Sequence, residues 1–264
     1  MLDRILETAE DIVVINKSKK DKVVFAFLFK GEITKHYFDK TLANKEENKV
    51  DGSKRFWKYD PKKGLITGSS TILTLRLDEE LRTDGLWIPT AEEAMFLDKN
   101  KKLPNNVYRD YGIVVFNDDN PNKDVAKRLI KEANKRVYQL PILVPFKALK
   151  LIKTGTQISF NKDTEAIISG EEAKQYLENE FDYKGESGAC RLGRSGIGNW
   201  YADWNRLDIS NGGGRVDFVC GEATAKNLET AVLSNINELA QKEVEVLNAR
   251  IASARETVIQ ALRS

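Results

Sequence analysis

A chain of 264 residues with 41% hydrophobic and 31% charged side chains has enough apolar material to bury a core, which excludes the disordered and fibrous classes. Lys and Arg number 42 against 40 Asp and Glu, so the net charge of +2 sets up no global basic field of the kind that marks nucleic-acid binders. No apolar run approaches the ~20 residues a bilayer span needs, the start MLDRILETAED has none of the regions of a signal peptide, and an intracellular, cytoplasmic protein is expected.

Residues 2–11 read as a short helix. The apolar runs DIVVIN (11–16) and KVVFAFLF (22–29), parted by the polar KSKKD, predict a hairpin whose second strand is covered on both faces. His36 is the single histidine; in EITKHYFD it reads as a strand or loop residue rather than a base, which leaves little for metal clusters or His-dependent triads. A polar loop over 40–53 precedes KRFWKYDPKKGLITG, a second hairpin turning at Asp60-Pro61. SSTILTLRLDEEL (69–81) alternates, with Leu73, Leu75 and Leu77 on one face, and reads as a strand.

Thr90 followed by Glu93 is a capping box that opens a helix to Leu97. YGIVVFND (111–118) has strand composition, and the Asn120-Pro121 stop precedes a helix over 122–139 with Val125, Leu129, Ala133 and Val137 recurring every four positions. Pro141 and Pro145 make 140–152 an extended or edge segment. GEEAKQYLENEF (170–181) is a helix with acidic residues in its first turn, where the dipole favours them. RVDFVCGE (215–222) alternates as a strand, and the 42 residues from Ala223 to Ser264, without Gly or Pro, predict one long helix. The fold class is therefore α+β: a mixed or antiparallel sheet with hairpins, several short helices and a long C-terminal helix. Three parts are distinguished: a body over 1–184, a Gly/Arg/Trp-rich loop-and-strand segment over 185–222, and the helix over 223–264.

The terminal helix carries a four-three spacing: Leu233, Asn237, Ala240, Val244, Leu247, Ile251, Ala254, Val258 and Ala261. That is a heptad seam, β-branched at one position and Leu or Ala at the other, and a lone Asn in such a seam sets register. The helix either lies across its own domain or shares the seam with another molecule. A parallel pair would set Arg250 against Arg255, so an antiparallel pair or a bundle fits better. Self-association through this helix, a homo-oligomer or a complex with another protein, is the expected use.

Basic residues suggest an alternative. Lys123, Lys127, Lys131 and Lys135 form a stripe on the 122–139 helix, able to follow a phosphate backbone or to be its solvated face. Lys54, Arg55, Trp57 and Lys58 interleave cations with aromatics, as single-strand binders do, although in a hairpin the aromatics can equally face the core.

The stretch CRLGRSGIGNWYADWNRLDISNGGGRVDFVCGE (190–222) has seven glycines and four arginines, and its glycine order and context fit neither a dinucleotide fingerprint nor a P-loop. Arg191, Arg194, Arg206 and Arg215 can present planar forks to an anion or a partner, with Trp200 and Trp204 as stacking or anchoring neighbours; Arg191, Arg194 and Arg215 are expected to be dispensable for folding. Asp203, Asp208, Asp217 and Glu222 could supply a metal site or an acid–base pair, but a nuclease-like triad with lysine needs Glu-x-Lys, and Glu222 and Lys226 lie four apart. Cys190 and Cys220 read as buried thiols, with a bridge between them left open. The expectation is a non-catalytic structural or assembly protein, such as a subunit of a multi-protein or virus-like particle, without cofactor, metal or membrane. Nucleic-acid binding is the alternative, and an enzyme of unnamed reaction comes third.

Overall fold

The computed structural model describes residues 12–15, 22–28, 30–43, 56–104, 106–152, 157–162, 167–183, 188–203, 206–216, 218–224, 241 and 244–256. The described part opens with β1 (Ile12–Ile15), β2 (Lys22–Leu28) and α1 (Gly31–Ala43). β3 (Lys58–Asp60), β4 (Leu65–Ser70), α2 (Thr71–Arg82), β5 (Leu86–Trp87) and α3 (Ala91–Lys99) follow. β6 (Arg109–Val115), α4 (Lys123–Lys135), β7 (Ile142–Pro145), a 3-10 turn (Phe146–Ala148), β8 (Leu149–Leu151) and β9 (Ile158–Phe160) occupy the middle. Then come β10 (Ile168–Ser169), α5 (Gly170–Glu180), β11 (Asp182–Tyr183), β12 (Ala189–Arg194), β13 (Trp200–Asp203), β14 (Ser210–Val216) and β15 (Phe218–Thr224). Residues 244–256 are helical.

The class is α+β. A six-stranded mixed sheet runs β10-β7-β6-β12-β13-β11, a four-stranded sheet β1-β2-β15-β5, a three-stranded sheet β14-β4-β3, and β8 pairs with β9. The hairpins expected at β1–β2 and β3–β4 are present as antiparallel pairs. The predicted capping box is formed: Thr90 Oγ1 accepts from Glu93 N and Glu93 Oε2 from Thr90 N. The terminal segment behaves differently from expectation at its start, because Ala223 and Thr224 belong to β15, opposite Val23 and Lys22. The predicted helix over 2–11 lies outside the described residues.

Residues 71–82 correct the strand expected over 69–81. They form α2, which packs against α1, β5, β8 and the 3-10 turn. Ser70 caps it, its hydroxyl accepting from Leu73 N at 3.4 Å. Thr71, Ile72, Leu73, Thr74, Leu75, Leu77, Asp78 and Leu81 are all buried. A helix surrounded by protein needs no polar stripe, so its apolar spacing is free to mimic alternation. His36 is likewise helical, not strand or loop: α1 buries Thr34, Tyr37 and Thr41 at positions i, i+3 and i+7, and leaves His36 exposed.

The helix predicted over 122–139 is shorter. It ends at Lys135, with Ala126, Leu129 and Ala133 buried, and Val137 lies beyond it, left-handed and 87% exposed. The 140–152 segment is extended, and β8 within it pairs with β9 alone, but β7 is not at a sheet edge. β7 lies between β6 and β10, and the two prolines sit just before its first residue and at its last, where missing N–H groups interrupt least.

The glycine-rich stretch is sheet. Its strands β12 to β15 pair with β6, β4, β2 and β5 from the preceding 184 residues. Gly212, Gly213 and Gly214 fill the irregularity in β14 between Asn211 and Arg215, where Arg215 N donates to Tyr108 O at 3.0 Å. A Cβ at Gly214 would lie 2.2 Å from Ser69 N, so only glycine fits there. Cys190 and Cys220 are buried and unbridged.

The far end of α2 holds a buried carboxylate. Asp78 Oδ1 accepts from Ile88 N at 2.6 Å, and Oδ2 lies 3.0 Å from Arg82 Nε. Burial raises the Asp78 pKa to about 7, only partly opposed by Arg82 and the Ile88 N–H. A carboxyl that binds its proton more tightly folded than unfolded makes stability fall as pH rises from its unfolded value near 4 to about 7, and leaves it flat above. In urea titrations Asp78→Asn, which keeps an oxygen for Ile88 N–H, is expected to remove a slope of up to about 1.4 kcal/mol per pH unit over that window. Identical slopes in both proteins would contradict the assignment.

Candidate functional site

Two of the four arginines face inward. Arg191 on β12 donates from Nε and Nη2 to Asp110 Oδ1 at 3.0 and 2.9 Å, and from Nη2 to Oδ2 at 3.0 Å. Both side chains are buried, and Ser69 Oγ of β4 lies 3.5 Å from Nη2. Arg194 Nη2 donates to Asp98 Oδ1 at 2.7 Å and Nη1 to Pro104 O at 3.3 Å, the carbonyl that also accepts from Arg109 Nη1 at 3.1 Å. A guanidinium out of water keeps its charge only with such partners. Arg191 and Arg194 are therefore anion hooks for carboxylates of their own chain, in place of the external ligand expected for them.

The local geometry follows from one glycine. The β6–β12 pairing shifts register between Leu192 and Gly193, and a Cβ at Gly193 would lie 2.4 Å from Arg109 O. That close approach lets Arg191 and Arg194 sit on either side of the irregularity. Asp98, Asp110 and Ser69 were missed as partners because they lie between 81 and 122 residues away in the chain from the arginines they meet.

The other members of the set do not join them. Arg206 is exposed and pairs with Asp208, with contacts of 2.9 and 2.6 Å. Arg215 is half-buried on β14, opposite Thr67. Trp200 is an anchor, its ring 5.5 Å from Tyr111 and 6.1 Å from Phe181. Trp204 and Asp217 lie outside the described residues. Glu222 is exposed on β15. Among the described residues no group of three or more His, Cys, Asp or Glu side chains could hold a metal ion.

The basic surfaces separate in the same way. Lys54 and Arg55 lie outside the described residues, Trp57 is buried, and Lys58 is exposed on β3. Tyr59 turns inward, its hydroxyl donating to Gly31 O at 3.2 Å, so the hairpin puts Trp57 and Tyr59 into the body and its cation outside. Lys123, Lys127, Lys131 and Lys135 are all exposed on α4. Their neighbours face the protein: Arg128 donates to Gln157 at 2.8 Å, Glu132 accepts from Ser159 and Phe160 N, and Arg136 lies over the Phe160 ring.

The helical residues 244–256 are exposed at every position. Val244, Leu247 and Ile251 of the seam are 55%, 56% and 57% exposed, and Ala254 is exposed with them. Leu233, Asn237, Ala240, Val258 and Ala261 lie outside the described residues. Among the described residues no helix is long and apolar enough to cross a membrane. Comparison with protein-family models, with curated proteins and with solved structures returned no match.

Removing one partner of a buried pair strands the other charge. Arg191→Ala is expected to cost about 3–5 kcal/mol in denaturant unfolding, whereas Lys127→Ala on the exposed stripe stays within about 0.5 kcal/mol. Equal, small effects would mean that the Arg191–Asp110 pair does not hold the sheet together.

Proposed function

We propose that this protein is a non-catalytic, self-associating structural subunit whose copies are joined through the C-terminal helix. The observation that carries the reading is the exposure of Val244, Leu247 and Ile251, each more than half open to water on one heptad seam. Fully burying a side chain of this kind contributes about 1.5–3 kcal/mol, so a seam of such residues on each copy supplies a driving force that a solvated helix leaves unused. An ordinary surface helix buries this stripe against its own core; here the stripe is exposed, as is every other face of residues 244–256.

The occupant argued for is a second copy. Heptad spacing makes the seam self-complementary. Arg250 and Arg255, both exposed, would oppose one another across a parallel pair, which favours antiparallel helices or a bundle with alanine layers. The body supports the division of labour, since it has a large apolar core of its own and two arginines of β12, Arg191 and Arg194, are paired internally.

A second reading rests on α4. Four exposed lysines spaced by four rise about 6 Å from one to the next, along a helix in which Asp124 is the acidic residue of the first turn. Such a row suits a phosphate backbone, and a labelled oligonucleotide would bind with affinity falling steeply as salt rises. Affinity that is flat in salt, or no binding at low salt, removes this reading.

The primary reading is tested by Val244→Asp combined with Ile251→Asp. Light scattering on the full-length proteins is expected to give an oligomer for the wild type and a single chain for the variant, with unchanged circular dichroism of the body. The same oligomeric mass in both would place the association elsewhere.

A further inference from the structure

Between α3 and α5, against the six-stranded sheet, lies a pocket of about 140 Å³. Buried Leu143, Leu192 and Ala91 and half-buried Pro145, Ile168 and Tyr176 give it apolar walls. The volume is close to that of an apolar cavity of about 150 Å³ that accepts benzene, so it holds one ring or one branched alkyl group. The Tyr176 hydroxyl donates to Met95 Sδ at 3.4 Å, and burial, helped by the Glu92 and Glu180 carboxylates, pushes its pKa up to about 12.

Two charged side chains complete the lining, Lys147 and Glu92. Lys147 lines the pocket and is half-buried, and its ammonium rests 5.1 Å from the centre of the Trp87 ring, which lies outside the lining. Glu92 is exposed in the first turn of α3. Among the described residues neither forms an ion pair within 4 Å, although Arg82, Arg191 and Arg194 each take a carboxylate. One cation and one anion beside an apolar pocket of single-side-chain size make a pattern with a matching ligand.

We propose that this pocket binds a free α-amino acid with an apolar side chain of leucine or phenylalanine size. The side chain enters among Leu143, Leu192 and Ile168, the carboxylate meets Lys147, and the ammonium meets Glu92. Apolar walls with a few placed polar groups are the usual construction of small-ligand sites, and opposite charges select a zwitterion over a simple acid or amine. This inference is independent of the C-terminal helix.

The test uses full-length protein in thermal-shift and calorimetric titrations with L-leucine, L-phenylalanine, N-acetyl-L-leucine and L-leucinamide. At least one free amino acid is expected to raise Tm and to bind at concentrations up to about 10 mM. N-acetyl-L-leucine and L-leucinamide, each lacking one charge, are expected to bind about tenfold more weakly or worse than leucine. Glu92→Gln should level leucine with its N-acetyl form, and Lys147→Met should level leucine with its amide. Ile168→Trp, which fills the pocket from its rim, should abolish binding of all four. Absence of binding by both free amino acids, or equal affinity of the wild type for leucine and its two derivatives, would overturn the proposal without any variant. Unchanged leucine affinity in folded Glu92→Gln and Lys147→Met would overturn it as well. None of these outcomes bears on the oligomeric mass.

Discussion

The body of this protein depends on placing charge where water is absent. Arg191 and Asp110 meet at the centre of the six-stranded sheet, within reach of Ser69 from the neighbouring hairpin. Neither charge survives burial alone, so their pairing fixes the register of β6 against β12 and the approach of β4 to both. The same logic recurs nearby. Arg194 and Arg109 converge on one carbonyl, that of Pro104, and Arg194 also takes Asp98, which ties the end of α3 and its following loop to the sheet. At α2, Arg82 reaches the carbonyls of Lys147 and Leu149 while Asp78 takes Ile88 N–H, which joins the central helix to β5 and β8.

These contacts decide what is left for function. Two of the arginines that look like ligand hooks in the sequence are internal fasteners, and the glycines around them exist for close backbone approach. Gly193 lets Arg109 O come near, and Gly214 lets Ser69 do the same. Among the described residues, the features left uncovered include the seam of residues 244–256, the lysine row of α4, a small apolar pocket flanked by Lys147 and Glu92, and single apolar side chains such as Val137 and Ile197. Leucines at 75, 77 and 81 are fully buried within the body, while Leu247 and Ile251 stand in water, a contrast that favours assembly.

Local signals were readable in the sequence wherever local chemistry alone sets the structure. The hairpin around Asp60-Pro61 needs only its turn, and Asp60 Oδ1 accepts from Lys62 N at 3.0 Å. The capping box of Thr90 and Glu93 needs four residues, and the acidic first turn of α5 needs three. The errors lie where partners distant in the chain govern the outcome. α2 reads as a strand because burial on nearly every side erases the amphipathic period. Arg191 reads as free because Asp110 is 81 positions away. Val137 reads as a helix position, whereas the chain leaves the helix before it, with Tyr138 N closing on Ala133 O. The seam of the terminal helix was visible as periodicity, and its exposure became apparent only from what the body leaves uncovered.

The central claim is that the exposed heptad seam is covered by another copy of the same chain. Sedimentation equilibrium of the full-length protein over a range of concentrations tests it most directly. The account predicts a mass that is a multiple of the 29.9 kDa chain and that declines toward it on dilution. A constant mass of one chain at every concentration would contradict it.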